Sequence, residues 1–162
     1  EVGFNNSGEI LALKIMMASR CGISPDLSGA INDRAIYHID NAYFLPNIEI
    51  NSYRCKTNTV SNTAFRGFGG PQGMFCIENI IENIAQKLNL EASEIRKINF
   101  YKDKIKNTTH YGMKITDNVI EDIFNKILSF IGLKTVAATK QVRRITYANP
   151  TSPEAPYGCW IP

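Results

Sequence analysis

Apolar positions along the first third of the chain repeat with two different periods, and each period predicts an element. The strand-like runs EVGF and ILALKIMMASR flank the turn residues NNSG, which predicts a β-hairpin with residues 5–8 at its tip. The run AINDRAIYHID, residues 30–40, spaces its apolar side chains as a short amphipathic helix does. In residues 48–53, Ile48, Ile50 and Ser52 alternate with polar positions, and this period of two predicts a strand.

The strongest helical pattern follows the glycine-rich loop SNTAFRGFGGPQGM, residues 61–74. Pro71 suits the first position of this helix, because that position needs no backbone donor. The predicted inner face has helical spacing and consists of Met74, Ile77, Ile81, Ile84, Ala85 and Leu88. The predicted solvent face consists of Glu78, Glu82, Gln86 and Lys87.

Two further helices are predicted downstream. ASEIRKINF, residues 92–100, indicates a short one, and HYG at residues 110–112 indicates a turn. Asp117 can cap the last helix, and Gly132 would lie just past its end. The residues expected to face inward from it are Ile120, Ile123, Phe124, Ile127 and Ile131.

Strands and helices thus occur in mixed order without regular βαβ alternation, which predicts an α+β fold. Residues 1–132 carry these patterns and form the predicted domain. Residues 133–162 form an atypical tail, because four of the seven prolines lie in its last thirteen residues, PTSPEAPYGCWIP. We expect that tail to be irregular.

Composition narrows the class of protein. The 162 residues have a net charge of +3, and the basic residues are scattered, so a nucleic acid is not expected as a partner. A membrane span is not expected either, because no apolar run approaches about 20 residues. The four cysteines (Cys21, Cys55, Cys76 and Cys159) are far apart and form no C-x-x-C pair. This spacing predicts buried thiols in a cytoplasmic protein and no zinc or iron–sulfur site within the chain.

The glycine-rich loop carries the candidate chemistry. Free backbone N–H groups at the start of a helix predict an anion site. The match to a dinucleotide motif is incomplete, because Gln72 occupies the third glycine position and no G-K-[ST] follows. Arg66 could be a packing residue, and Phe65 or Phe68 could fill the core. Their position among glycines favours a pocket for an anionic cofactor beside a flat substrate.

Other polar residues give weaker signals for catalysis. His38 is interpreted as a boundary residue and His110 as a turn residue. Cys55 and Cys76 have no neighbouring base that would activate a thiol. Glu78 and Glu82 fall on the predicted solvent face, so the sequence indicates no general base or nucleophile.

The loop SNTAFRGFGGPQGM resembles the signature segment of the molybdenum-cofactor-binding portion of the xanthine dehydrogenase family. Three more segments resemble successive pieces of the same portion, in the same order. They are DRAIYHIDNAYFLPNI, CKTNTVSNTAFRGFGGPQGMFCIENIIENIA and EIRKINFYK. The resemblance extends from about Glu1 to about Phe130.

This resemblance implies a molybdenum–molybdopterin cofactor and roles for three loop residues. Arg66 and Gly67 would bind the cofactor, with the backbone amide of Arg66 contacting the ligand shell of the metal. Phe68 would bind the substrate by stacking on a purine face, and Phe65 would pack inward. Gly67 and Gly69 would let the main chain approach the cofactor. None of the residues is implied as catalytic.

The resemblance also implies the reaction of the complete enzyme. That reaction is the oxidative hydroxylation of purines, from hypoxanthine or xanthine to urate, with electrons passing through 2Fe-2S clusters and FAD to NAD. Residues 1–132 would be a fragment of the cofactor-binding domain, and the fragment alone would be inactive. Its partners would be the remaining molybdenum-subunit segments and the Fe–S/FAD subunit, in an oligomer. The alternatives are an aldehyde oxidase-type molybdenum hydroxylase and a non-catalytic anion-binding or structural module.

Overall fold

Three strands and four helices make up the described part of the chain, residues 1–130 of a computed structural model. The elements are β1 (Val2–Phe4), β2 (Ile10–Gly22), α1 (Ser28–Tyr37), β3 (Ile48–Lys56), α2 (Gly70–Leu88), α3 (Ala92–Asn99) and α4 (Ile120–Phe130). The strand order is β1-β2-β3, with β1 antiparallel and β3 parallel to β2. Helices combined with a mixed sheet confirm the predicted α+β class. Glu1–Ile123 forms one compact unit, and a second unit begins at Phe124.

The predicted hairpin is present, and its tip is held by one side chain. Asn5 Oδ1 accepts hydrogen bonds from the backbone N–H groups of Ser7 and Glu9, at 3.1 and 3.0 Å. The amide of Gly8 donates to the Asn5 carbonyl at 2.9 Å, and Gly8 has a φ of +87°. This local bonding reverses the chain between β1 and β2.

One βαβ unit lies within the α+β arrangement, because α1 connects the parallel strands β2 and β3. The helix begins two residues before the predicted start and ends at Tyr37. Its buried Asn32 donates a hydrogen bond to the Ser52 hydroxyl on β3 at 3.0 Å. The predicted alternation on β3 is also observed, because Ile48, Ile50 and Ser52 are half-buried and the intervening residues are exposed.

Helix α2 supplies much of the core. It begins at Gly70, so that Pro71 is its second residue. Four members of the predicted stripe are at most 1% exposed: Ile77, Ile81, Ile84 and Ala85. Met74 lies outside the core, with 37% of its surface exposed. The predicted inner face is therefore confirmed over its central turns.

Asn99, at the end of α3, anchors the hairpin from inside the core and is only 1% exposed. Its Oδ1 accepts the backbone N–H of Ile10 at 2.8 Å, and its Nδ2 donates to the carbonyls of Gly8 and Ile95 at 2.9 and 2.8 Å. One amide side chain thus satisfies backbone groups at the start of β2 and in α3.

The two glutamates of α2 are half-buried, so their prediction as solvent-facing residues is wrong. Arg96 on α3 donates to Glu78 Oε2 through Nε and Nη2, at 3.0 and 2.9 Å, and to Glu82 Oε1 at 2.8 Å. Burial opposes the charge on Arg96, but its hydrogen bonds to Glu82 and Glu78 outweigh that effect and raise the pKa of Arg96. Burial and the hydrogen bond to Glu78 raise the pKa of Tyr43. The ion pairs of Arg96 with Glu78 and Glu82 join α3 to α2.

Helix α4 departs from the prediction in two ways. The carboxamide Oδ1 of Asn118, and not Asp117, accepts the backbone N–H of Ile120 at 3.2 Å. No residue of α4 is buried, and Ile123 and Ile127 are 46% and 53% exposed, so the expected inward face is wrong. The predicted positions Ile131 and Gly132, and the tail 133–162, lie outside the described residues.

Candidate functional site

Three consecutive residues before α2 have left-handed backbone conformations. The φ angles are +88° at Gly67, +52° at Phe68 and +93° at Gly69. Glycine adopts such angles freely, whereas a bulky residue rarely does, and the cost is about 1–3 kcal/mol. Two backbone hydrogen bonds hold the turn, from Phe68 N to the Phe65 carbonyl at 2.9 Å and from Gly70 N to the Gly67 carbonyl at 3.0 Å.

Most glycines of this segment serve close packing of α2 on α1. A Cβ on Gly69 would lie 2.1 Å from the Ile31 carbonyl oxygen, and one on Gly73 would lie 2.3 Å from that of Ala35. Gly69 is therefore buried against the protein's own backbone, which corrects its predicted role as a spacer beside a ligand. Gly67 is exposed, and its added Cβ would meet only the Pro71 ring, at 2.5 Å.

Arg66, Gly67 and Phe68 present groups to the outside of this turn. Arg66 and Gly67 are exposed, and within residues 1–130 their backbone N–H groups have no hydrogen-bond partner. Phe68 is half-buried. Phe65 is 75% exposed, so the prediction that it packs inward is wrong. Phe68, whose backbone is left-handed, is therefore the more buried of the two rings.

The start of α2 has the electrostatics of an anion site. Its N-cap residue is Gly69, no side chain caps the helix, and its first turn contains no acidic residue. The Gly70 N–H donates to the Gly67 carbonyl and Pro71 has no N–H, so within residues 1–130 the Gln72 N–H is the first-turn donor without a backbone acceptor, and it lies at the positive end of the helix dipole. Together with the Arg66 guanidinium, this end of the helix favours negatively charged groups.

Candidate nucleophiles and metal ligands are not assembled in residues 1–130. No group of three His, Cys, Asp or Glu side chains in this range could hold a metal ion. Of the cysteines, Cys21 is buried as predicted, Cys76 is half-buried, and Cys55 is exposed against expectation. Burial raises the pKa of the Cys76 thiol, which keeps it in the unreactive protonated form. No helix in this part of the chain has the length and apolar character needed to cross a bilayer.

One buried polar cluster was not predicted from the sequence. His110 and Asp40 are 5% and 7% exposed in their side chains, and the Tyr101 hydroxyl donates to Asp40 Oδ2 at 2.6 Å. His110 does lie in a turn, but its ring is directed into the protein and not to solvent. The only sequence signal was that His110 is one of two histidines.

Comparison with known proteins places the fold and this turn in one family. Residues 1–100 match the model of the molybdopterin cofactor-binding domain. The chain is 42% identical over 128 residues to a xanthine dehydrogenase of Emericella nidulans, covering 79% of this chain and 9% of the relative. A nicotinate hydroxylase of the same organism is 46% identical over 101 residues, covering 62% of this chain and 8% of the relative.

Solved structures give the same assignment. The aldehyde oxidoreductase from Desulfovibrio desulfuricans superimposes with a TM-score of 0.73 at 25% identity, covering 89% of this chain and 15% of that one. By sequence, the chain spans about a tenth of the length of the xanthine dehydrogenase and the nicotinate hydroxylase that it matches. The family model covers well over half of the chain, including the left-handed turn. The chain therefore belongs to the molybdopterin cofactor-binding domain family.

Proposed function

We propose that this chain is part of a xanthine dehydrogenase-type molybdenum hydroxylase, in which residues Arg66–Phe68 face the cofactor and the substrate. The observation that carries the proposal is the strained turn, with two exposed amides beside a left-handed Phe68. Strain at a bulky residue persists only where the surrounding structure enforces it, and such residues cluster at functional sites.

The residues of the turn fit the molybdenum–molybdopterin group. The N–H groups of Arg66 and Gly67 are free to donate to the ligand shell of the metal, and Gly67 has no side chain to obstruct the approach. The uncapped start of α2 adds favourable charge for an anionic cofactor. When bound, the molybdenum group supplies the two-electron oxidation and the oxygen transfer that hydroxylation needs.

Phe68 would then hold a flat heterocycle in place. An aromatic ring stacks on a planar base by dispersion and by offset alignment of the two π-systems. The left-handed backbone of Phe68 sets the direction in which its side chain leaves the main chain. The substrates of the complete enzyme would be hypoxanthine and xanthine. Electrons would leave through 2Fe-2S clusters and FAD to NAD in segments or subunits outside this chain.

The chain alone would not turn over a purine. Residues 1–130 would supply one wall of the site, and they contain no group of three His, Cys, Asp or Glu side chains that could hold the metal directly. Transition-state stabilisation depends on several groups acting together, so the remaining molybdenum-subunit segments are required partners.

The test uses two matched phenylalanines in the complete enzyme. Phe68→Ala should lower kcat/KM for xanthine about tenfold to a hundredfold, as expected from stacking of about 1–3 kcal/mol. Molybdenum and pterin contents should stay unchanged. Phe65→Ala removes the same ring from an exposed position of the same loop and should change kcat/KM by no more than about twofold. Equal losses in both variants would contradict the proposal.

A second candidate function is favoured by the relatives outside the xanthine dehydrogenases. The similarity to a nicotinate hydroxylase and to an aldehyde oxidoreductase supports an aldehyde oxidase-type or pyridine-directed hydroxylase. Competition between xanthine, nicotinate and an aromatic aldehyde in the complete enzyme distinguishes them by the ratio of kcat/KM values. Absence of molybdenum and pterin from the purified complete protein would instead support a non-catalytic anion-binding or structural module.

A further inference from the structure

His110 is buried between the end of α1 and the segment that follows α3. Its Nε2 atom lies 3.0 Å from the Ile36 carbonyl oxygen, and its Nδ1 atom lies 3.6 Å from Asp40 Oδ2. The distance of 3.6 Å is an ion-pair distance but too long for a hydrogen bond, so the buried Nδ1 has no hydrogen-bond partner among residues 1–130. The Tyr111 ring meets the imidazole edge-on, with centroids 5.0 Å apart.

The neighbours of the two ring nitrogens determine where protons reside. A carbonyl oxygen can only accept, so Nε2 must carry a hydrogen. In a neutral imidazole, Nδ1 would then direct its lone pair at the Asp40 carboxylate. Two electron-rich atoms facing each other in a buried site are unfavourable, whereas a second proton on Nδ1 would convert the repulsion into an attraction.

Asp40 is hydrogen-bonded to a second side chain of the cluster. Its Oδ2 accepts the hydroxyl of Tyr101 at 2.6 Å. Burial and the hydrogen bond to Asp40 raise the pKa of Tyr101, so this phenol remains a donor. The titratable groups facing His110 are therefore Asp40, Tyr101 and Tyr111. A cleft of about 470 Å³ adjoins this cluster, and the further titratable groups that line it are Tyr37, His38 and Asp117.

The cluster connects to the cofactor-binding turn through α1. Ile36 belongs to the last turn of α1, and Asp40 follows the helix after three residues. The same end of α1 contacts α2, because Gly73 lies against the backbone of Ala35 and His38. One turn earlier in α1, the Ile31 carbonyl rests on Gly69, next to Phe68.

We propose that His110, protonated on both ring nitrogens, is a positioning residue for the Arg66–Phe68 turn. The imidazolium binds Ile36 O and Asp40 together and fixes the C-terminal end of α1, against which Gly73 of α2 is packed, while Gly69 of the adjoining turn rests on Ile31 one helical turn earlier. A cation at this end of a helix also interacts favourably with the helix dipole. The inference rests on the proposed function only in treating residues 66–68 as the site, and both tests below need no cofactor.

The first test determines the protonation of His110 directly. The full chain contains two histidines, so His38→Asn leaves one imidazole to observe. Long-range proton–nitrogen NMR of this variant at about pH 7 should show both His110 ring nitrogens protonated. In the variant Asp40→Asn, His110 should be neutral with its proton on Nε2. A neutral His110 in the presence of Asp40 would overturn the proposal.

The second test measures hydrogen exchange in the peptide covering the turn. His110→Ala and Asp40→Asn should each raise amide exchange of Phe68 and Gly70, whose N–H groups are hydrogen-bonded within the turn, by about tenfold or more, and the double variant should add little to either. Asn107→Ala is the control, because it removes an exposed hydrogen bond to the Asp103 carbonyl, outside both α1 and the His110 cluster, and should leave exchange of the turn unchanged. Unchanged exchange in His110→Ala, or an equal rise over the whole chain, would overturn the positioning role.

Discussion

Gly69 and Ile31 are in direct backbone contact: a Cβ on Gly69 would lie 2.1 Å from the Ile31 carbonyl oxygen. Gly112 has a similar φ, +88° against +93°, but its Cβ would meet no atom within 4 Å. Gly112→Ala should therefore cost only backbone strain, about 1–2 kcal/mol. Gly69→Ala should cost at least about 3 kcal/mol, because α1 and α2 must also move apart. Urea unfolding of the full-chain variants measures both, and equal losses would contradict the close approach.

The proposed role of Arg66 can be assigned to its backbone or to its side chain. In the complete enzyme, Arg66→Ala keeps the backbone amide, whereas Arg66→Pro removes it. If the amide contacts the cofactor, molybdenum content should remain near the parental level in the first variant and fall severalfold in the second. Metal analysis of the purified enzymes gives the result. A matching fall in both would assign the contact to the guanidinium.

Asn99 should be among the most sensitive positions of the fold. Its replacement by alanine leaves the backbone N–H of Ile10 and the carbonyl of Gly8 buried without their partner. Each orphaned group costs about 1–3 kcal/mol, so the free energy of unfolding should fall by about 2–5 kcal/mol. Asn107→Ala, which removes an exposed bond to the Asp103 carbonyl, should cost less than about 0.5 kcal/mol in the same denaturant titration.

The ion pair between Glu9 and Lys106 predicts a specific acid sensitivity. Lys106 donates to Glu9 Oε1 at 2.6 Å, and this hydrogen bond, followed by the charge of Lys106, lowers the pKa of Glu9. A carboxyl with a lowered pKa stabilises the fold above its ordinary value of about 4.3 and loses that contribution as the pH falls. Because both side chains are partly exposed, the contribution should be below about 1 kcal/mol.

Glu9→Gln is the matching variant for this pair. Its unfolding free energy should be lower than that of the parent at about pH 6, and the two should converge at about pH 3. Added salt should reduce the difference at the higher pH, because the pair is partly screened. A difference that persists at the acidic end would assign the effect of the substitution to packing and not to charge.

Local patterns were sufficient for the elements that local forces determine. The turn residues of the hairpin, with Asn5 bonded to its own neighbours, make the reversal readable from sequence. The stripe of α2 likewise follows from helical periodicity, since Ile77, Ile81 and Ile84 face one core. The glycine-rich loop was recognisable as a site from its composition and its family resemblance.

The features that the sequence did not predict depend on tertiary contacts. Phe65 and Phe68 flank a turn of three left-handed residues, and the last of these, Gly69, packs against the Ile31 carbonyl of a different helix. His110 and Asp40 are 70 positions apart in the numbering, so no local pattern could pair them. The apolar residues of α4 do repeat with a helical period, as predicted. Such a period shows that a helix has an apolar face, but it does not show which other residues pack against that face.

The bond between Asn99 and Ile10 joins positions separated by 89 residues. During synthesis the hairpin must therefore wait for most of the domain to leave the ribosome before its innermost strand is anchored. Closing so long a loop is entropically slow, and until then the apolar side of β2 remains available to chaperones. The order of translation thus makes the last turn of α3 the step that anchors the start of β2, the central strand of the sheet.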